Sequence, residues 1–111
     1  MLLGAFTITV SAQKKVDPTG TWSYKAPAAP YEYSSGEILV EKDGKDFSVK
    51  MLLGQYEMPA EKVVYEDNVL SFDIYIEMET VEIKMTAEKE SMEGTASYSE
   101  GTIPITATKK E

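Results

Sequence analysis

The stretch "DPTGTWSY", residues 17 to 24, contains the chain's only tryptophan and begins its regular pattern. Trp22 stands two residues after Gly20, and Trp22 and Tyr24 alternate with small polar residues. Such alternation is typical of a β-strand that buries one face and leaves the other in water. The stretch therefore predicts the first strand of a sheet, with Trp22 on the buried side.

The same period of two continues along almost all of the chain after Thr19 and predicts eight strands. No window shows a helical period with capping residues. The phase of this alternation places Trp22 on the same side of the sheet as Phe47, Phe72 and Ile105. It is well defined because a shift of one residue in register would expose the whole apolar set. The apolar set is Trp22, Tyr24, Ile38, Val40, Phe47, Val49, Met51, Leu53, Leu70, Phe72, Ile74, Ile76, Val81, Ile83, Met85, Ala87, Met92, Ala96, Tyr98, Ile103, Ile105 and Ala107.

Short turn signals separate these runs, at Asp43-Gly44, at residues 66–68, at residues 88–91 and at residues 99–101. Two-residue and three-residue turns of this kind join antiparallel neighbours, so the strands should follow one another as a meander. The segment from Gln55 to Tyr65 changes phase along its length, which predicts a bulge.

The longest connection, Ala26 to Gly36, joins the first two predicted strands. Pro27 and Pro30 prevent regular pairing there. Tyr31 and Tyr33 add aromatic surface to the loop, and loop aromatics often take part in recognition. The alternative is a structural loop packed across one end of the sheet.

The chain resembles the lipocalin-like (calycin) barrels, most of all the short forms exported by bacteria. The resemblance rests on the sequential short strands, on Gly20-x-Trp22 at the start of the first strand and on the long first loop. In that family the tryptophan lies at the closed end of the barrel and the first loop folds over the open end. An arginine near the last strand usually packs on the tryptophan, but this chain has no arginine. The resemblance implies that Lys109, in phase with Ile105 and Ala107, partly replaces it; a solvated terminal lysine is the alternative.

The expected fold is therefore all-β, an eight-stranded antiparallel up-and-down (meander) barrel of lipocalin-like type. Closure would remove two long apolar edges that an open meander leaves free to aggregate. A two-sheet sandwich is the alternative fold. Eight strands enclose a space that side chains fill or that holds one small ligand.

The first residues are apolar and uncharged, and Val10-Ser11-Ala12 fits a signal-peptidase site. They predict an exported protein, periplasmic or secreted, with a probable signal-peptide remnant at 1–12, a linker at 13–18 and a single barrel domain at 19–111. Because apolar and polar residues also alternate from Phe6 to Val10, an additional strand is the alternative.

The composition excludes several functions. The chain has no cysteine, no histidine and no arginine, and its net charge is −8. Thiol chemistry, a histidine base and bidentate guanidinium clamps are therefore absent, and nucleic acid would be repelled. We expect no cofactor, no metal site and no membrane span.

Carboxylates are the remaining groups for catalysis. Glu77, Glu79 and Glu82 fall on predicted outer positions or at a turn, and Asp43 and Asp46 flank a hairpin. Neither group has the spacing of a calcium loop, and a small barrel offers little cleft for a carboxylate pair. The chain is therefore expected not to be an enzyme.

The expected function is non-enzymatic binding of a small neutral or apolar ligand, because the buried face carries almost no charge. A void of roughly 300 Å³ is predicted beneath the first loop. Methionines suit an adaptable pocket but equally fill a core. A protein-interaction module, such as an inhibitor of a basic hydrolase, and self-association are the alternatives. The candidate ligand-binding residues are Tyr31, Tyr33, Met51, Phe72, Met85 and Tyr98.

Overall fold

The computed structural model describes residues 15–110, which form nine antiparallel strands and one 3-10 turn (Tyr31–Tyr33). The predicted signal-peptide remnant, residues 1–12, lies outside the described residues. The strands are β1 (Gly20–Lys25), β2 (Ser35–Asp43), β3 (Asp46–Leu53), β4 (Tyr56–Pro59), β5 (Glu61–Glu66), β6 (Val69–Ile76), β7 (Glu79–Ala87), β8 (Ser91–Tyr98) and β9 (Gly101–Lys109).

The strands form one sheet in the order β4-β3-β2-β1-β9-β8-β7-β6-β5. Neighbours in the sheet are also neighbours in the chain, except for β1 and β9, which pair from Trp22↔Lys109 to Lys25↔Thr106. The molecule is therefore an up-and-down, nearly closed barrel. The predicted all-β meander is confirmed, and its first and last strands pair with each other.

The prediction of eight strands was wrong by one, because the segment expected to be a single bulged strand forms two. β4 pairs with β3, and β5 pairs with β6 with a register shift between Glu61 and Val64. Between the two strands, the Ala60 N–H donates to the Val49 carbonyl over 2.8 Å. Within the register shift of β5, Lys62 has a φ of 53°. The expected change of phase thus marks the point where the chain stops pairing with β3 and begins pairing with β6. We call this line between β4 and β5 the seam of the barrel.

The core lies on the predicted face of the sheet. Trp22, Phe72 and Ile105 are at most 2% exposed, and Phe47 is half-buried against the same core. In residues 15–110 no polar or charged residue is classed as buried. Apolar burial of this kind is the main favourable contribution to folding.

The closed end of the barrel is built around Trp22. Its indole Nε1–H donates to the Pro18 carbonyl over 2.9 Å. The Lys109 Nζ lies 5.6 Å from the centroid of the Trp22 ring, within the range of a cation–π interaction. The prediction that Lys109 packs on Trp22 is confirmed, and the alternative of a lysine clear of the ring is wrong.

Residues 15–18, the described part of the predicted linker, lie against this closed end. The Val16 N–H donates to Asn68 Oδ1 over 2.9 Å, and the Tyr65 hydroxyl donates to the Val16 carbonyl over 2.5 Å. Pro18 is fully buried. The segment therefore packs against the closed end rather than acting as a free connection.

Candidate functional site

A cavity of about 250 Å³ lies at the other end of the barrel, beneath the β1–β2 loop. This end, which we call the mouth, contains the turns that follow β3, β6 and β8. The cavity is close in size to the predicted void. Its lining residues are Tyr24, Ala26, Ala29, Pro30, Tyr33, Met51, Leu53, Ile76, Glu77, Glu79, Val81, Ile83, Ala96, Tyr98, Glu100 and Ile105.

The floor and walls of the cavity are apolar. Met51, Ile83, Ala96 and Ile105 are all largely buried and belong to the core. Their strands present them inward because each follows the period-two phase of the sheet. This surface can hold an apolar group without leaving a buried polar atom unpaired.

Tyr24 sits where the wall meets the loop. It is 2% exposed, and its hydroxyl donates to the Tyr33 carbonyl over 2.8 Å. Burial raises the pKa of Tyr24 to about 12. Tyr24 is therefore a neutral donor that holds the loop against the barrel.

The loop is tied across the mouth at both ends. At its base, the Ala26 N–H donates to the Ser34 carbonyl over 2.7 Å. On the far side, the Tyr33 hydroxyl donates to Glu77 Oε2 over 2.5 Å. This hydrogen bond raises the pKa of Tyr33 to about 12. The contact joins the loop to the β6–β7 turn, and we call it the Tyr33–Glu77 latch.

Three carboxylates line the mouth of this otherwise apolar cavity: Glu77, Glu79 and Glu100, which we call the rim glutamates. Glu79 Oε2 accepts the Ser99 N–H over 2.6 Å, and the hydrogen bonds with Ser99 lower the pKa of Glu79. None of the residues that line this cavity is a lysine. The formal charges of the rim are therefore all negative.

The structure brings together three of the six predicted ligand-binding residues. Tyr33, Met51 and Tyr98 line the cavity. Phe72 and Met85 are each 1% exposed and fill the barrel without contributing to the cavity lining. Tyr31 is 92% exposed and lines a shallow depression on the loop.

The rim glutamates were not predicted from the sequence to line a cavity. Glu79 carries a usable signal, because it begins β7 in the phase of Val81 and Ile83. Glu77 and Glu100 lie in turns, where alternation carries no information about direction. Glu82 is exposed on the outer face of β7, as predicted.

A second groove runs beside the mouth along the seam. Exposed apolar side chains cluster here: Tyr56 is 76% exposed and Tyr75 is 66% exposed. Glu32 and Glu57 also line it. Met78, in the β6–β7 turn, is 86% exposed. The surface around the mouth is thus both aromatic and acidic.

A larger hollow of about 770 Å³ lies at the closed end, between residues 15–18 and the barrel. Its lining includes Lys15 and Lys42 together with Asp17 and Asp67. This hollow is a surface feature of mixed charge. The mouth cavity, in contrast, extends into the apolar interior, and we take it as the candidate site.

Within residues 15–110, no three acidic side chains are grouped so as to hold a metal ion. No helix in this part of the chain has the length and apolar character needed to cross a membrane. Comparison with known proteins finds no matching protein-family model, no matching curated protein and no matching solved structure.

Proposed function

We propose that the protein is an exported, non-enzymatic, lipocalin-like binding protein that holds a small ligand with a largely apolar body in the mouth cavity. The observation that carries the proposal is the cavity of about 250 Å³, walled by core residues and covered by the β1–β2 loop. Ligand sites are typically concave and mostly apolar, with a few polar groups that orient the ligand.

The difference between the two ends of the barrel supports this proposal. Trp22, Lys109 and Pro18 fill and close one end. At the other end, the mouth cavity extends into the apolar interior beneath a tied loop, whereas the larger hollow at the closed end is a surface feature. The lipocalin-like resemblance implies the same arrangement, with Gly20 and Trp22 at the closed end and the first loop over the open end. The proposal of a binding role rather than catalysis rests on a chain that contains no histidine and no cysteine.

The test is fluorescence titration with the neutral, apolar dye N-phenyl-1-naphthylamine. We expect saturable binding by the wild type. Ala96→Leu should abolish it, because Ala96 is 6% exposed and the added atoms enter the cavity. Tyr33→Ala should weaken it at least about five-fold by removing part of the lining and the latch.

Tyr31→Ala is the matched control, since Tyr31 is on the same loop but 92% exposed. It should bind the dye like the wild type. Circular dichroism of each variant shows that it is folded. Non-saturable fluorescence in the wild type, or undiminished dye binding by folded Ala96→Leu, would refute the cavity as the site.

A second candidate function is the docking of a basic protein, such as a basic hydrolase, on the mouth. The exposed rings of Tyr56 and Tyr75 beside Glu32 and Glu57 favour it, because exposed aromatics within a charged surface are typical of interfaces. Inhibition of a basic extracellular hydrolase, reduced in Tyr75→Ala, is the expected result. Undiminished hydrolase activity at saturating protein would rule this function out for that enzyme.

A further inference from the structure

We infer that the ligand is an amphiphilic cation, with its apolar body in the mouth cavity and a positively charged amine between the rim glutamates. The inference deepens the proposed function and rests on it. It changes the expectation from the sequence, which was a small neutral or apolar ligand. That expectation considered only the buried face, which is indeed without charge.

The charges at the cavity are of one sign. Glu77, Glu79 and Glu100 are the only residues with a formal charge in the described lining. A carboxylate or phosphate on a ligand would be repelled by them. A positive group would gain from each of them, and more so at a partly enclosed mouth than in bulk water.

The rim glutamates come from separate places and are held in position. Glu77 is in the β6–β7 turn, Glu79 begins β7, and Glu100 is in the β8–β9 turn. The Tyr33 hydroxyl holds Glu77, and the Ser99 N–H holds Glu79. Both hydrogen bonds are to Oε2 of their glutamate, and a carboxylate has about four lone-pair sites, so each glutamate retains capacity to accept a bond from an amine.

The uniform charge is local to the mouth. The closed-end hollow has lysines as well as acidic groups in its walls, Lys15 and Lys42 among them. The negative rim is therefore not a simple consequence of the net charge of −8. Apolar walls below and carboxylates above together match a molecule with a hydrocarbon body and a cationic end.

The experiment compares three probes that share one apolar body: 1-aminooctane, 1-octanol and octanoate. Each is titrated calorimetrically into the wild-type protein at neutral pH and low salt, below its micelle concentration. We expect 1-aminooctane to bind about ten-fold more tightly than 1-octanol, and octanoate to bind most weakly. The preference for the amine should shrink as salt is raised.

The double variant Glu79→Gln, Glu100→Gln should bind 1-aminooctane and 1-octanol about equally, because the neutral amides no longer attract a cation. Glu82→Gln is the matched control. It changes the charge on the same strand, but Glu82 is exposed on the outer face. It should retain the preference, and thermal unfolding checks that all variants are folded.

The outcomes separate the two proposals. If 1-octanol binds and 1-aminooctane binds no better, the cationic ligand is refuted while the apolar cavity stands. If Glu82→Gln loses the preference as fully as the rim variant, overall charge rather than the rim selects the amine, and the inference fails. If none of the three probes binds, both the cavity function and the cationic ligand are refuted.

Discussion

Gly20, Trp22 and Lys109 form a compact unit at the closed end, and the glycine is needed for packing as well as for its backbone conformation. Gly20 has a φ of 130°, which disfavours any residue with a side chain. A Cβ atom at this position would lie 2.9 Å from the Lys109 Cε. The missing side chain therefore leaves room for the lysine stem on its way to the Trp22 ring.

The variant Gly20→Ala tests this arrangement, and Gly101→Ala is its matched control. Gly101 has a φ of 132°, but no atom lies within 4 Å of an added Cβ. Both variants should lose roughly 1 to 3 kcal/mol of unfolding free energy from backbone strain. Gly20→Ala should lose about 0.5 to 2 kcal/mol more, because Lys109 must move off the ring.

Urea denaturation measures both losses. Repeating the pair in a Lys109→Ala background completes a double-mutant cycle. The additional loss at Gly20 should vanish there, since no lysine stem remains to be displaced. Equal losses for Gly20→Ala and Gly101→Ala in the wild-type background would contradict the proposed role of Gly20.

At the scale of elements, the β1–β2 loop depends on the β6–β7 turn for its position. Glu77 and Met78 in that turn have φ values of 50° and 67°, in the left-handed region that side chains disfavour. This turn places Glu77 where the Tyr33 hydroxyl reaches it. The latch therefore joins a loop held by Tyr24 to a turn whose left-handed backbone conformation is energetically unfavourable for residues with side chains.

The latch should depend on pH. The hydrogen bond to Glu77 raises the pKa of Tyr33 to about 12, whereas a tyrosine in an unfolded chain titrates near about 10. A group whose pKa rises on folding contributes stability below its unfolded pKa and loses it as the pH rises to the folded value. The contribution of the latch should therefore be complete below about pH 10 and fade toward pH 12.

Tyr33→Phe removes the phenolic hydroxyl and with it the Tyr33–Glu77 latch. The urea midpoint of the wild type should exceed that of Tyr33→Phe at about pH 8, and the gap should narrow by about pH 11. Tyr24, whose pKa is also raised to about 12, remains in both proteins and so does not affect the difference. Tyr31→Phe, on the exposed side of the loop, should match the wild type. A gap that stays constant with pH would contradict the latch.

Alternation in the sequence was sufficient to predict strands and their buried face, because burial on one side imposes a period of two. It also put Lys109 in phase with Ile105 and Ala107, and the pairing of β1 with β9 brings this phase opposite Trp22. It did not show that the chain divides at Ala60, because the phase of a strand does not say which neighbour it pairs with. Met58 pairs with Met51 on β3, whereas Tyr65 pairs with Leu70 on β6.

The candidate site was only half predictable for a related reason. Met51 and Tyr98 follow the strand pattern, so their inward direction could be inferred. The rim glutamates meet at one cavity because the β6–β7 and β8–β9 turns lie at the same end of the barrel. That meeting depends on topology and on strand length, and no local pattern in the turns encodes it.

At the scale of the whole molecule, the charge distribution opposes stability, because acidic residues outnumber basic ones. The chain has 19 acidic and 11 basic residues. Across residues 15–110, the salt bridges are Lys50–Glu57 at 3.5 Å and Lys110–Glu37. Most acidic groups are thus exposed to mutual repulsion with little compensating pairing. Surface ion pairs of this kind contribute little, typically about 0 to 1 kcal/mol.

Added salt should therefore stabilise the protein. Raising sodium chloride from about 20 mM to about 500 mM shortens the screening length several-fold and weakens repulsion among the acidic groups. We expect the thermal midpoint to rise by a few degrees, since the net charge is −8 and few attractive pairs are lost.

A variant with fewer charges provides the control. Glu41, Glu82 and Glu93 are exposed on outer strand positions and do not line the mouth cavity. Their triple replacement by glutamine should raise the midpoint at low salt and reduce its response to sodium chloride, because less repulsion remains to be screened. The rim glutamates remain in this variant, so its preference for 1-aminooctane over 1-octanol should persist. A midpoint that falls with added sodium chloride in the wild type would show that attractive pairs, rather than repulsion, dominate the electrostatics of the barrel.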